Sequence, residues 1–279
     1  MKKRENYRNH DFRPITCFDS EINTKEVGKS GIRIEAEYNS MLKSGQLLYN
    51  NLDKISSKYG FEFCVVDMKE IEKRINSEFD LAQEMPIDVG LALSNAEKAH
   101  LYSIKLQKNR IQWIAGRYAV KSALFKYKLL SGSFMDLSCI DILKGADSAP
   151  YIPQYPNITV SITHSFPYCI GIVSERKIGV DIENIFMPDD SLIQYFYTDN
   201  EKAVLKDKCC LKDYSEKAVI FWTRKEAVSK LLKLGMQLNF KKLDTSSDSI
   251  FLNYENGINV KLISFCCDCF CASLAVEIF

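Results

Sequence analysis

Hydrophobic and polar positions alternate with two different periods along this chain, and the switch between them sets out its elements. Phe61 to Val66, FEFCVV, is rich in β-branched and aromatic residues and reads as the first strand. Upstream, residues 1 to about 57 are polar and hold at most one weak helix, around Ile34 to Ile55. A short amphipathic helix through Ile71 and Ile75 follows the strand. From Arg110 the spacing becomes helical, with Trp113, Ala119, Val120 and Leu124 on one side, ending near Ser131-Gly132. Period two returns in Thr159–Thr163, Tyr168–Val173 and Lys177–Glu183, the first two joined by a short turn at Phe166-Pro167. Asp141–Leu143 is a weaker strand candidate. A helix from Thr198 to Lys208 and a second through Glu226 precede strands near 250–254, 258–265 and 269–278.

Two helix starts carry the same signal. Ser94 with Glu97, and Thr198 with Glu201, each place a hydroxyl and a carboxylate three residues apart, a capping box for the first turn. Downstream, Trp113 to Lys121 and Trp222 to Lys230 can be matched, so that Arg117 and Lys121 fall opposite Glu226 and Lys230. A repeat this long is no solenoid and suggests two related halves. Packed about a pseudo-two-fold axis, they would leave a cleft with one basic and one mixed wall, the kind of place where ligands bind.

Composition narrows the field. The chain has 279 residues and a net charge of +1, with the two signs interspersed. That gives no electrostatic reason to expect a nucleic-acid or membrane surface. The basic start is followed by no apolar run, and no 18-residue apolar span occurs, so a cytoplasmic protein is expected. Ten cysteines, four of them in CCDCFC (266–271), are expected as reduced thiols in that compartment. Alternation separates Cys266 from Cys267, Cys269 and Cys271, which argues against a zinc site and for buried strand thiols.

Candidate chemistry gathers at a few positions. Asp181 and Glu183 lie two apart on KIGVDIE and share one strand face, where their repulsion would be relieved by a hard divalent cation such as Mg²⁺. A merely acidic solvent face is the plain alternative. Glu226 and Lys230, four apart, stack on one helix face as an ion pair or as half of a site. His164, Arg117 and Lys121, each taken alone, read as surface charges, and Glu201 as a cap.

Their order along the chain carries more. Gly116-Arg117 with Lys121, Ser161 to Ser165 (SITHS), Gly179 to Glu183 (GVDIE) and Trp222 to Lys230 (WTRKEAVSK) resemble the phosphopantetheinyl transferases of the surfactin type. The resemblance runs from about Leu93 to Cys271, and the last two motifs together are specific. It implies an α+β pseudodimer of two similar α/β halves with the site between them. Here that means an extension (1–57), an N-terminal half (58–157) and a C-terminal half (158–279) carrying the metal site. It implies a monomer that transfers 4′-phosphopantetheine from coenzyme A to a serine of an apo acyl, polyketide or peptidyl carrier protein, releasing 3′,5′-ADP. By position, Asp181, Glu183 and Glu226 would hold Mg²⁺, with Glu226 also the base. Lys230 would hold the diphosphate and steady the leaving group, Thr163 and His164 would meet the nucleotide, and Arg117 and Lys121 would add positive charge there. The family's Gly-Lys-Pro is replaced by Ser148-Ala149-Pro150, and Lys233-Leu234-Gly235-Met236 replaces a Gly-Lys-Gly-Leu. A non-catalytic coenzyme A or nucleotide-binding protein and a Mg²⁺-dependent diphosphate hydrolase are the rivals.

Overall fold

A computed structural model describes residues 31–78, 92–130, 136–207, 210–254 and 256–279. Helix α1 (Gly31–Tyr59) is longer than the polar sequence suggests, and its last three turns are amphipathic: Leu48 and Leu52 are buried. It ends at Gly60, whose φ of 71° is the left-handed conformation that a glycine adopts without cost. The chain then enters β1 (Phe61–Asp67) and turns into α2 (Met68–Glu78).

Helix α3 (Asn95–Ser103) begins on the expected Ser94–Glu97 capping box, with both reciprocal hydrogen bonds made. Helix α4 (Gln107–Leu130) crosses the antiparallel sheet formed by β1, β5 (Tyr168–Ser174) and β4 (Thr159–Ser165), in the order β1-β5-β4. The close approach requires Gly171, where a Cβ would lie 2.5 Å from the Val120 backbone nitrogen. Between α4 and β4, the expected strand at 141–143 is a two-residue β2 (Leu143–Lys144) paired with β3 (Pro150–Tyr151).

The second sheet, β6-β9-β8-β7, comprises β6 (Ile178–Asn184), β7 (Ser249–Leu252), β8 (Ile258–Cys267) and β9 (Phe270–Ile278). Before it closes come α5 (Asp190–Phe196), which the periodicity did not disclose, α6 (Asp199–Lys206) on the Thr198–Glu201 capping box, and α7 (Leu211–Leu232). Helix α7 lies on this sheet over Gly179, where a Cβ would meet the Ala227 carbonyl oxygen at 1.9 Å. The inner faces of the two sheets share one core, with Phe63, Ile170 and Ile172 against Val180, Ile182 and Leu274.

Three expectations change here. Sheet membership puts β4 and β5, which a division after residue 157 assigns to the C-terminal half, with β1, because hydrogen bonding across strands follows the hairpin. Residues 43–57 of the extension are part of the packed body, Leu48 and Leu52 sharing the inter-sheet core. Cys266 and Cys271 are joined in a disulfide, not reduced: the two-residue turn at Asp268-Cys269 sets them directly opposite each other, so they share a face across the hairpin. Cys64, Cys139, Cys169, Cys210, Cys267 and Cys269 are free. Cys17 and Cys209 lie outside the described residues. No helix among those described is long and apolar enough to cross a membrane.

Candidate active site

The edge strand β6 is finished by side chains instead of by another strand. Its outward backbone N–H groups at Val180, Ile182 and Asn184 donate to the hydroxyls of Ser161, Thr163 and Ser165, at 3.0, 3.2 and 3.1 Å. Alternation on β4 makes this ladder possible, since residues 161, 163 and 165 all face β6 while 162 and 164 face the other way. An unpaired sheet edge is thereby satisfied without strand pairing.

Two of the same hydroxyls donate onward to carboxylates. Thr163 Oγ1 lies 2.8 Å from Asp181 Oδ1, and Ser165 Oγ lies 3.3 Å from Glu183 Oε2. Lys230, from the last turn of α7, adds its ammonium to Asp181 Oδ1 at 2.6 Å and to the Val180 carbonyl at 3.1 Å. Asp181 is 4 % exposed, and its other oxygen, Oδ2, is buried with no partner. Burial, and then the charge of Asp181, push the Glu183 carboxyl up to about 7, and the same two causes raise Glu226. Three acids thus face a shortage of positive charge that Lys230 only partly meets.

These oxygen donors suit a hard divalent cation, and the orphaned Asp181 Oδ2 is the observation that argues for one. Among the described residues, no three of His, Cys, Asp and Glu already stand close enough to cage a metal. A cation that keeps several waters does not need such a cage.

His164, on the opposite face of β4, is exposed and lines a groove of about 570 Å³ with Trp113, Arg117, His100 and Lys144. The Arg117 guanidinium sits 4.3 Å over the Trp113 ring, and its Nε is buried without a partner. Although His164 is exposed, partial desolvation against the groove wall lowers its pKa, and the nearby Lys230 charge lowers it further, which links the groove electrostatically to the carboxylates.

Two residues expected at the nucleotide are committed elsewhere. Lys121 is fully buried, donating to Glu97 and to the carbonyls of Ala92 and Leu137, so all three of its donors are used. Thr163 is buried, and its hydroxyl serves Ile182 and Asp181. Lys121 has a counterpart, but it is Lys225, not Lys230. Lys225 donates to Glu201 at 2.8 Å and to the carbonyls of Phe240 and Leu243. Each of these glutamates belongs to a capping box, and each takes a further backbone N–H, from Ile142 and from Thr245. The tryptophan match in the sequence is therefore five residues out of register. The structure also brings in Lys144, His100 and Ser165, to which the sequence pattern assigns no role. Lys144 sits on a strand too short to show a period, whereas Ser165 continues the alternation from Ser161 and could have been found by it.

Residues 177–266 match the model of the 4′-phosphopantetheinyl transferase superfamily. A 4′-phosphopantetheinyl transferase of Bacillus subtilis is 31% identical over 130 residues, 46% of this chain and 54% of the relative, so the match spans about half of that protein's length. A holo-acyl-carrier-protein synthase of Staphylococcus haemolyticus is 28% identical over 117 residues, 40% of this chain and 93% of the relative. A solved holo-acyl-carrier-protein synthase of Bacillus anthracis, in complex with coenzyme A (3′,5′-ADP), is 19% identical, covers 41% of this chain and 93% of its own, and has a TM-score of 0.32. The superfamily to which the motifs point is the one whose model matches residues 177–266.

Proposed function

We propose that this chain, related through residues 177–266 to the 4′-phosphopantetheinyl transferase superfamily, transfers 4′-phosphopantetheine from coenzyme A to a serine of an apo acyl, polyketide or peptidyl carrier protein. The observation that carries this reading is the electron-rich, under-neutralised set Asp181, Glu183 and Glu226 beside a basic groove lined with aromatic rings.

In the groove, Arg117, Lys144 and His164 meet the nucleotide's phosphate charge, and the Trp113 ring backs Arg117. Lys144 offers there the positive charge that Ala149 does not. The serine hydroxyl attacks the phosphorus bearing the pantetheine. An Oγ–P bond forms, the bond from that phosphorus to the bridging oxygen breaks, and 3′,5′-ADP leaves. Glu226 takes the serine proton; its raised pKa brings it nearer to working pH, where a general base is most effective. Lys230 places positive charge at the diphosphate and leaving oxygens, the main demand of phosphoryl transfer. Asp181, Glu183 and Glu226 are the residues that would hold Mg²⁺, which supplies charge neutralisation and a template for the diphosphate. Thr163 and Ser165 orient Asp181 and Glu183, and Lys121 is structural.

The two sheets with their crossing helices are read as two halves related by a pseudo-two-fold axis, dividing between Ser174 and Ile178, in a monomer. The paired Lys121–Glu97 and Lys225–Glu201 clusters support this, as does a Staphylococcus relative that 117 residues nearly span.

The test is incubation with coenzyme A, Mg²⁺ and a panel of apo carrier proteins, read by intact mass. A carrier gaining one phosphopantetheine is the expected result. Coenzyme A binding without transfer would support a binding protein instead, and release of phosphopantetheine to water a hydrolase.

A further inference from the structure

The cleft that holds Asp181 and Lys230 has a counterpart on the other side of the inter-sheet core. Counted from the two hairpin turns, Ser165 matches Cys267 and Tyr168 matches Phe270. Strand pairing carries the match outward to Asp67 and Asn184. Phe63, Cys64 and Val66 on β1 then occupy the places of Val180, Asp181 and Glu183 on β6. The helices agree: Lys126 donates to the Phe63 carbonyl at 3.2 Å, as Lys230 does to that of Val180 at 3.1 Å. Ser122 stands where Glu226 stands, buried beside the Cys64 thiol. This second cleft keeps its lysine and has none of the three carboxylates.

The facing strand differs in the same sense. The hydroxyl ladder Ser161, Thr163 and Ser165 is answered on β8 by Ile263, Phe265 and Cys267, which make an apolar wall. Helix α1 fills the space. Leu48 and Leu52 are buried with Phe61, Phe63 and Val65 and packed by Ile263 and Phe265. Tyr49 packs on Phe63 with ring centroids 5.2 Å apart, and the Lys126 ammonium lies 5.7 and 5.6 Å from the two rings. At the β8–β9 tip, Ser44 Oγ donates to Asp268 at 2.7 Å and Asn51 Nδ2 to Cys267 Sγ at 3.6 Å.

We infer that α1 is a wedge closed into a degenerate twin of the candidate site, and that its docking sets the spacing across the working cleft. The groove belongs to α4 and β4, on the first sheet, whereas Asp181, Glu183, Glu226 and Lys230 belong to β6 and α7, on the second. One ligand reaches both only if the sheets keep a fixed separation. The hydroxyl ladder ties them along one side and α1 along the other. The inference rests on reading groove and carboxylates as one site.

The experiment is the full chain carrying Leu48→Ala with Leu52→Ala, measured by hydrogen exchange and by calorimetric titration with coenzyme A and, separately, with Mg²⁺. Amides of β1 and of the β8–β9 tip should lose protection together. Coenzyme A should bind at least tenfold more weakly, while Mg²⁺ affinity changes less than threefold, because its three carboxylates all lie on β6 and α7 and those of β6 stay tied to the β4 hydroxyls on the side away from α1. Unchanged coenzyme A affinity in a variant whose α1 exchanges freely overturns the inference, as does a parallel loss of Mg²⁺ binding. Should the double variant not fold, Ser44→Ala with Asn51→Ala loosens α1 from its polar side and is judged by the same criteria. Lys126→Met should leave transfer within twofold, and a loss of turnover there would deny that the second cleft is degenerate. If the wild type binds no coenzyme A, the proposed function fails. The wedge is then judged by exchange alone, and protection of β8 that ignores α1 undocking overturns it.

Discussion

Lys225 and Lys230 sit five residues apart on one helix, and their surroundings could hardly differ more. Lys225 and its partner Glu201 are both fully enclosed, yet every donor of the ammonium is used and both carboxylate oxygens accept backbone N–H groups as well. The Lys121–Glu97 pair repeats this arrangement. Around Lys230 the accounts do not close: one ammonium faces Asp181, Glu183 and Glu226, and a buried oxygen of Asp181 is left over. Breaking a satisfied buried pair damages the fold, because its remaining charge has nowhere to go. The unsatisfied set keeps unused bonding capacity, which the proposed function would draw on. The distinction between structural and functional charge lies in completeness of partners, not in burial.

The comparison is broken most sharply at Glu226. Glu226→Gln should lower transfer by about 10²- to 10⁴-fold, the range for loss of a general base, with the melting curve little changed. Normal carrier labelling by that variant would remove Glu226 from the chemistry. Lys225→Met should do the reverse, costing about 3–5 kcal/mol in a denaturant titration by stranding Glu201, with turnover per folded molecule unaffected. Thr163→Val removes an acceptor from the Ile182 N–H and a donor from Asp181; about 1–3 kcal/mol of stability should be lost, and Thr163→Ser should restore most of it.

The smallest effect is one of pH. Glu183 titrates near 7 in the folded protein against an ordinary 4.5, so between those values the native state holds a proton that the unfolded chain has released. The Glu183 contribution to stability without metal should therefore be largest below pH 4.5, fall as pH rises through this window and level off above about 7. Thermal melts from pH 4.5 to 8 should show that slope, and both Mg²⁺ and Glu183→Gln should flatten it. A difference between wild type and Glu183→Gln whose slope has the opposite sign would show that Glu183 is stabilised as the anion.

Much of the fold was legible because its signals are local. The two capping boxes, the SITHS alternation and the GVDIE strand each depend on neighbours within a few residues, and each was found where expected. The shared face of Asp181 and Glu183 follows from the same alternation. Relations across distance were not legible. Lys121 looked like a free helix charge until α4 met Glu97, and Thr163 looked like a ligand contact until β4 lay along β6. Cys266 and Cys271 looked opposed until the hairpin turned them to face each other.

By itself, then, the sequence determined the elements, their caps, and which acidic and basic side chains share a strand or helix face, since a period of 2.0 or 3.6 and a three-residue cap are short-range properties of the chain. Only the tertiary structure decided which charges are spent. Whether Lys121, Lys225 or Lys230 meets a ligand depends on carbonyls and carboxylates 15 to 50 residues away in sequence, and no local pattern encodes their arrival. The same holds for α1, whose polar sequence gave no hint that Leu48 and Leu52 would fill the cleft between β1 and β8.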